Sequence, residues 1–292
     1  MSWSLYRWTW QLESPLYVGM PPAGSLNRCR LYVPARAVWG AVTAEVARAT
    51  AKSGFPKYQE VGKRIRDGVR FTYLFPAQQE RNRWLAWLPR YKSAAGLLWE
   101  REDSSPPSIP ERQFRMRLLS TRPSTAIEPS TDTAAEGSLR ETECLNPLWR
   151  PHDGLPAGPV ALVGYVFLRT DLENELRQAL VGLEALTLGG DNRYGLGCVR
   201  RVTFGEAGDV FGCKVNLASD QPGVDTERVL AHGELNAQAG TKLRGDMELL
   251  RGWDYGQSDH WPTAKPLWVP GSVADGQERW QIDSTGHWTR AA

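Results

Sequence analysis

The residues best suited to hold an anion stand at Gly189-Gly190-Asp191-Asn192-Arg193-Tyr194-Gly195-Leu196-Gly197, where four glycines bracket an arginine and a tyrosine. Glycine lets a backbone approach a phosphodiester closely and present its N–H groups. Arginine adds charge, and tyrosine offers a stacking face to an unpaired base. Two commoner phosphate loops are excluded by order and composition. A dinucleotide-binding fingerprint needs a strand before its glycines and a helix after them, and here helical spacing precedes and strand-like residues follow. Gly190 and Gly195 have the spacing of a Walker loop, but Leu196 and Gly197 stand where lysine and serine or threonine must bind phosphate and magnesium.

Basic side chains form the second candidate set. Arg28, Arg30 and Arg36 come first, then a basic-aromatic stretch from Arg70 to Lys92 that includes Tyr73, Phe75, Arg90 and Tyr91, then Arg112, Arg115, Arg117 and Arg122. The formal net charge of +2 hides their bias. Residues 28–122 carry 19 Lys+Arg and 8 Asp+Glu, a balance of +11, whereas residues 123–292 carry 15 and 24, a balance of −9. Such a chain is suited to presenting one basic surface to a polyanion, with the acidic remainder facing other partners. Catalytic constellations are not evident: the histidines at 152, 232, 260 and 287 fall in no paired spacing, the cysteines at 29, 144, 198 and 213 form no CxxC, and no metal site or cofactor is indicated. Asp132 sits in a Ser/Thr-rich segment, where a lone aspartate is normally a turn residue.

The elements that must carry these residues can be read from spacing. Trp3 to Leu12 alternates, with Tyr6, Trp8, Trp10 and Leu12 on one face, as in a half-buried strand. A short strand at Cys29 to Val33 leads to Pro34, which opens a helix bearing Val38, Val42 and Val46 at four-residue spacing. Residues 55–99 read as strands joined by basic loops, 100–111 as a loop, and Gln113 to Arg122 as a basic strand. Pro159 to Leu168 is a buried strand, about half the ~20 residues needed to cross a bilayer. Asp171 is placed to cap a helix running to Leu186, and Cys198 to Phe204 reads as a strand. With 41% hydrophobic and 23% charged residues the chain is expected to fold rather than stay disordered.

Several of these segments, in order, resemble the RAMP superfamily of CRISPR-associated proteins: Ser14-Pro15-Leu16-Tyr17-Val18-Gly19, Tyr32-Val33-Pro34-Ala35-Arg36-Ala37-Val38-Trp39-Gly40-Ala41, Arg122 to Leu145, and Leu188-Gly189-Gly190 to Gly195-Leu196-Gly197. The resemblance covers residues 3–204. It implies an α+β chain of ferredoxin-like (RRM-like) domains, one or two such units, with antiparallel sheets and helices on one face. Residues 1–210 would form the RNA-binding region, divided into 1–122 and 140–210 by an extended hairpin insert at 123–139. Residues 211–292 would be an irregular tail, pinned by Trp253, Trp261, Trp268, Trp280 and Trp288, that packs on the body or on other subunits. Where the family usually has Gly-Ser at its helix start, this chain has Ala35-Arg36, and Arg36 is the residue left to make that contact.

The resemblance further implies a non-catalytic subunit of a type III-like effector complex that binds guide RNA (crRNA) and docks on sister subunits to recognise target RNA in antiviral defence. Residues 69–76 and 125–127 look most like the members that cap the 5′ handle of the guide. The expected RNA contacts are Arg28, Arg30, Arg36, Arg70, Arg90, Lys92, Arg115, Arg117, Arg122, Gly189, Gly190, Arg193, Tyr194, Gly195 and Gly197. Two other classes compete: a metal-dependent endoribonuclease of the same fold using Asp132, and a module that stacks carbohydrate or peptide on the C-terminal tryptophans. The first residues show no export-signal pattern, and a cytoplasmic location without membrane contact is expected.

Overall fold

The computed structural model describes residues 2–51, 54–234, 243–250 and 265–291. In chain order the elements that matter are β1 (Trp3–Leu12), α1 (Ala35–Thr50), α2 (Tyr58–Gly68), β2 (Val69–Phe71), β3 (Phe75–Glu80), β4 (Arg83–Lys92), β5 (Gly96–Arg101), α3 (Glu111–Leu118), β6 (Leu119–Ser124), β7 (Arg140–Leu145), β8 (Gly158–Arg169), α4 (Asn174–Val181), β9 (Ala185–Thr187) and β10 (Cys198–Glu206). The C-terminal part adds β11 (Cys213–Asn216), β12 (Gly223–Arg228), β13 (Met247–Leu250), β14 (Val273–Ile282) and β15 (Trp288–Arg290). The chain is α+β, with mostly antiparallel sheets.

The main sheet runs β9-β10-β1-β8-β3-β4-β5, and every one of these pairings is antiparallel. Its two central strands are the most apolar segments of the sequence. Residues 160–168 of β8 are buried without interruption, and β1 buries Trp3, Leu5, Trp8, Trp10 and Leu12. Alternation in β1 is therefore weaker than its sequence suggests, because the strand is covered on both faces. Val38, Val42 and Val46 of α1 are buried as their spacing predicts, and α1 packs against α2, α4 and the sheet.

Within the stretch read as strands and basic loops, residues 58–68 form helix α2, with Val61 and Ile65 as its buried positions, and the expected strand from Cys29 to Val33 makes only isolated bridges at its two ends. Four further local readings of the sequence are corrected. Residues 111–118 form a helix rather than a strand, because Phe114, Arg117 and Leu118 are the inward positions at i, i+3 and i+4. Phe114 stacks on Trp99 at 4.3 Å between centroids and also meets Trp87 and Trp149. The 100–111 stretch is anchored by the end of β5, where Arg101 is buried and paired with Glu80 and Asp103. The helix expected from Asp171 begins at Asn174 and ends at Val181, and Asp171 instead pairs with Arg169.

The fourth correction concerns the C-terminal part, which is a sheet rather than irregular: β11, β12, β14 and β15 pair in succession, and Trp280 and Trp288 lie in the common core. Burying an indole removes more apolar surface from water than almost any other side chain, so short strands with few aliphatic residues suffice here. Trp253 and Trp261 lie outside the described residues.

Candidate nucleic-acid interface

The glycine loop is a single 3₁₀ turn, Asn192–Tyr194, flanked by left-handed residues Asp191 (φ 56°) and Gly195 (φ 78°). It is tied down at both ends. Gly190 donates its N–H to the Tyr17 carbonyl and Gly197 to the Pro15 carbonyl, each at 2.9 Å, while Leu188 donates to Gly197 O. Two of its glycines are required by close approach: a Cβ on Gly189 would lie 2.1 Å from Tyr17 O, and one on Gly197 2.0 Å from Leu188 O. Gly190, Gly195 and Gly197 thus spend their N–H groups inside the protein rather than offering them to a ligand, and what the loop presents outward is the exposed pair Arg193 and Tyr194.

Beside the loop lies a three-stranded sheet in which β7 pairs with β6 on one side and with Leu26–Asn27 on the other. The register sets Thr142 opposite both Arg122 and Asn27, and Arg140 opposite Ser124. Side chains at 140, 142 and 144 share one face, and on it the Arg140 guanidinium lies over the Tyr194 ring, 5.5 Å from its centroid. Burial pushes the Cys144 thiol up to about 11, with Arg122 opposing the rise and Asp191 adding to it. Arg122, Arg140 and Arg193 are all exposed, and Arg122 and Arg193 make no ion pair among the described residues. Arg140 was not among the expected contacts. Only the strand register, which joins residues far apart in sequence, identifies it.

Most of the other expected contacts are engaged elsewhere. Arg30 is buried and bonds both oxygens of Glu248, at 2.6 and 2.9 Å. Arg70, also buried, donates to the carbonyls of Arg66 and Val69 and to Gln221. Arg117 is 1% exposed, donates to the carbonyls of Arg150 and Pro156, and lies over Trp149. Arg90 pairs with Glu227, Lys92 with Glu100, and Arg115 with Glu143. For Arg30, Arg90 and Arg115 the partner is a carboxylate of the acidic remainder, so the +11 and −9 regions intermix there, whereas Lys92 pairs within the basic stretch and Arg70 and Arg117 are held by neutral groups. Arg28 and Arg36 are half-buried.

Asp132 stands at the tip of a small hairpin, Ile127–Glu128 with Thr133–Ala134, with φ 50° and its N–H on Glu128 O, which is a turn role. Potential metal ligands converge at Glu234, Asp283 and His287, whose ligand atoms lie within 4.8 Å of one another. One imidazole and two carboxylates suit zinc or manganese, although one Asp283 oxygen already accepts three hydrogen bonds from Thr285 and His287. Asp283 and His287 lie four residues apart in the turn between β14 and β15, whereas Glu234 is brought to them from a distant strand, so sequence spacing joins only two of the three. Burial of Trp280 and Trp288 leaves neither as a stacking platform for a sugar.

These elements define an α+β chain in which a glycine loop and an arginine-bearing sheet face lie side by side. No protein-family model and no curated protein matches its sequence. In structure it is similar to a chain of the Type III-B Cmr-beta assembly bound to cognate target RNA and AMPPnP, with a TM-score of 0.55 and 11% identity over 92% of this chain and 85% of that one. A chain of the assembly bound to cognate target RNA alone gives a TM-score of 0.54 and 12% identity, over 92% and 86%. Residues 211–292 are 82 of 292, so coverage of 92% includes most of them, and the shared fold reaches well beyond residue 204. No helix among the described residues is long and apolar enough to cross a membrane.

Proposed function

We propose that this chain is a RAMP-type subunit of a type III CRISPR effector complex that holds guide RNA, docks on sister subunits, and contributes to recognition of target RNA without cutting it. The observation that carries this reading is the exposed cluster of Arg122, Arg140, Arg193 and Tyr194 around the glycine loop. Three guanidinium groups supply phosphate contacts, and the Tyr194 ring, held by Arg140, is available to stack a base. The strand order β10-β1-β8-β3, with α1 and α2 before the second strand of the sequence and α4 before the last, is that of a ferredoxin-like unit and supports the RAMP assignment. The RNA-bound state of the similar assemblies supports RNA as the partner.

Fluorescence anisotropy with single-stranded RNA carrying a 5′ handle tests it. R122A and R193A should each weaken binding about tenfold at low salt, and each should reduce the slope of log K against log salt by roughly one contact. Wild-type affinity in the double variant would refute the proposed site.

A further inference from the structure

Arg30 belongs to a buried polar network that joins the C-terminal sheet to the body. His232, 0% exposed, bonds Tyr73 through Nδ1 and Glu248 through Nε2, both at 2.5 Å. Glu248, on β13, bonds the Arg30 fork through both of its oxygens, and Arg30 Nη1 also donates to the Tyr32 hydroxyl at 3.2 Å. With Nη1 and Nη2 so engaged, the third edge of the guanidinium points back into the body: Arg30 Nε donates to Gly19 O at 3.2 Å, and the Arg30 N–H donates to Val18 O at 2.8 Å. The segment held in this way is the one whose Pro15 and Tyr17 carbonyls receive Gly197 and Gly190 of the glycine loop.

We propose that Glu248 and Arg30 are positioning residues for the glycine loop: the Glu248 carboxylate fixes the Arg30 fork, the fork fixes residues 15–19, and those residues fix the loop that carries Arg193 and Tyr194. Neither residue touches the proposed RNA site. The expected consequence for RNA rests on the function proposed above, whereas the positioning itself does not. A general stabilising role would be met by any cation opposite Glu248. Positioning needs the arginine fork, because a lysine ammonium can keep the ion pair but cannot hold Glu248 and Gly19 O at the same time with fixed geometry.

The test is hydrogen exchange in the RNA-free full-length chain, read on peptides covering residues 186–199 for E248Q, R30K and a control, D225N. The control removes the exposed Asp225–Arg279 pair of the same C-terminal sheet. E248Q and R30K should exchange this segment about tenfold faster, with R30K keeping a near-wild-type melting temperature and D225N leaving the segment unchanged. Wild-type protection in R30K would overturn the proposal, as would equal acceleration in D225N. Should E248Q not fold, R30K alone decides. Binding of single-stranded RNA by the same proteins separates the two readings: faster exchange in a chain whose wild type binds no RNA refutes the RNA site and leaves the positioning role standing.

Discussion

Replacing Gly197 with alanine should damage the glycine loop far more than replacing Gly195, although both residues have left-handed backbones, with φ of 87° and 78°. A Cβ at position 195 meets nothing within 4 Å, so that variant bears only the left-handed penalty of about 1–2 kcal/mol, partly offset by a stiffer unfolded chain. At position 197 the added carbon would lie 2.0 Å from Leu188 O, which is backbone and cannot rotate away. Relief requires the loop to lift, breaking the Leu188-to-Gly197 and Gly197-to-Pro15 hydrogen bonds, each worth about 1 kcal/mol. Together with the same net left-handed penalty this gives roughly 3 kcal/mol for G197A against about 1 kcal/mol for G195A. Urea denaturation of the two variants measures the difference, and melting temperatures should part by about 2 °C per kcal/mol. If G197A fell within about 0.5 kcal/mol of G195A, the close-approach argument would be wrong.

Phe114→Ala should destabilise the chain by about 3–5 kcal/mol, since the ring is fully buried between Trp99, Trp87 and Trp149; chemical denaturation checks this. Stability should fall on acidification in two stages. His232 is held neutral by burial, below its ordinary range, so stability is complete above about pH 6.5 and declines below it. Glu248 is held down to about 2, because hydrogen bonds from His232 and Arg30 outweigh its burial, so a further loss follows between its ordinary carboxylate range and about pH 2; E248Q should shrink that second stage in the pH profile of the melting temperature, leaving the part due to Asp103 and Asp225, which hydrogen bonds from Arg101 and Arg279 also hold low. Burial raises the Cys29 thiol to about 12 and the Cys144 thiol to about 11, whereas Cys198 is exposed, so brief iodoacetamide treatment at pH 8 should label Cys198 and spare the other two, as read by peptide mass spectrometry.

What the sequence revealed and what it concealed have physical causes. β1, α1 and β8 were legible because apolar periodicity or an unbroken apolar run leaves one solution for burial. α3 was not, because Arg117 occupies an inward position that periodicity assigns to a hydrophobe, satisfied there by two carbonyls and the face of Trp149. The C-terminal sheet was missed because β12 and β14, which pair closely, are separated by more than forty residues of weakly patterned chain. In the candidate site, Arg193, Tyr194 and the close-approach glycines could be read from local composition. The fate of the basic stretch could not, since the carboxylate that neutralises Arg30 lies 218 positions away. Arg64–Glu173, Arg90–Glu227 and Arg115–Glu143 repeat the pattern over shorter separations.

The position of β1 has a consequence for synthesis. Its two neighbours are β8 and β10, so a strand carrying Trp3, Trp8 and Trp10 finds its first partner only after residue 169 has been made and its second after residue 206. At about 5–20 residues per second the nascent chain carries this apolar strand unpaired for roughly 8–30 s, and the sheet closes on its other edge only after roughly 10–40 s. Yield of soluble protein should therefore depend on chaperones that shield the first dozen residues during that interval.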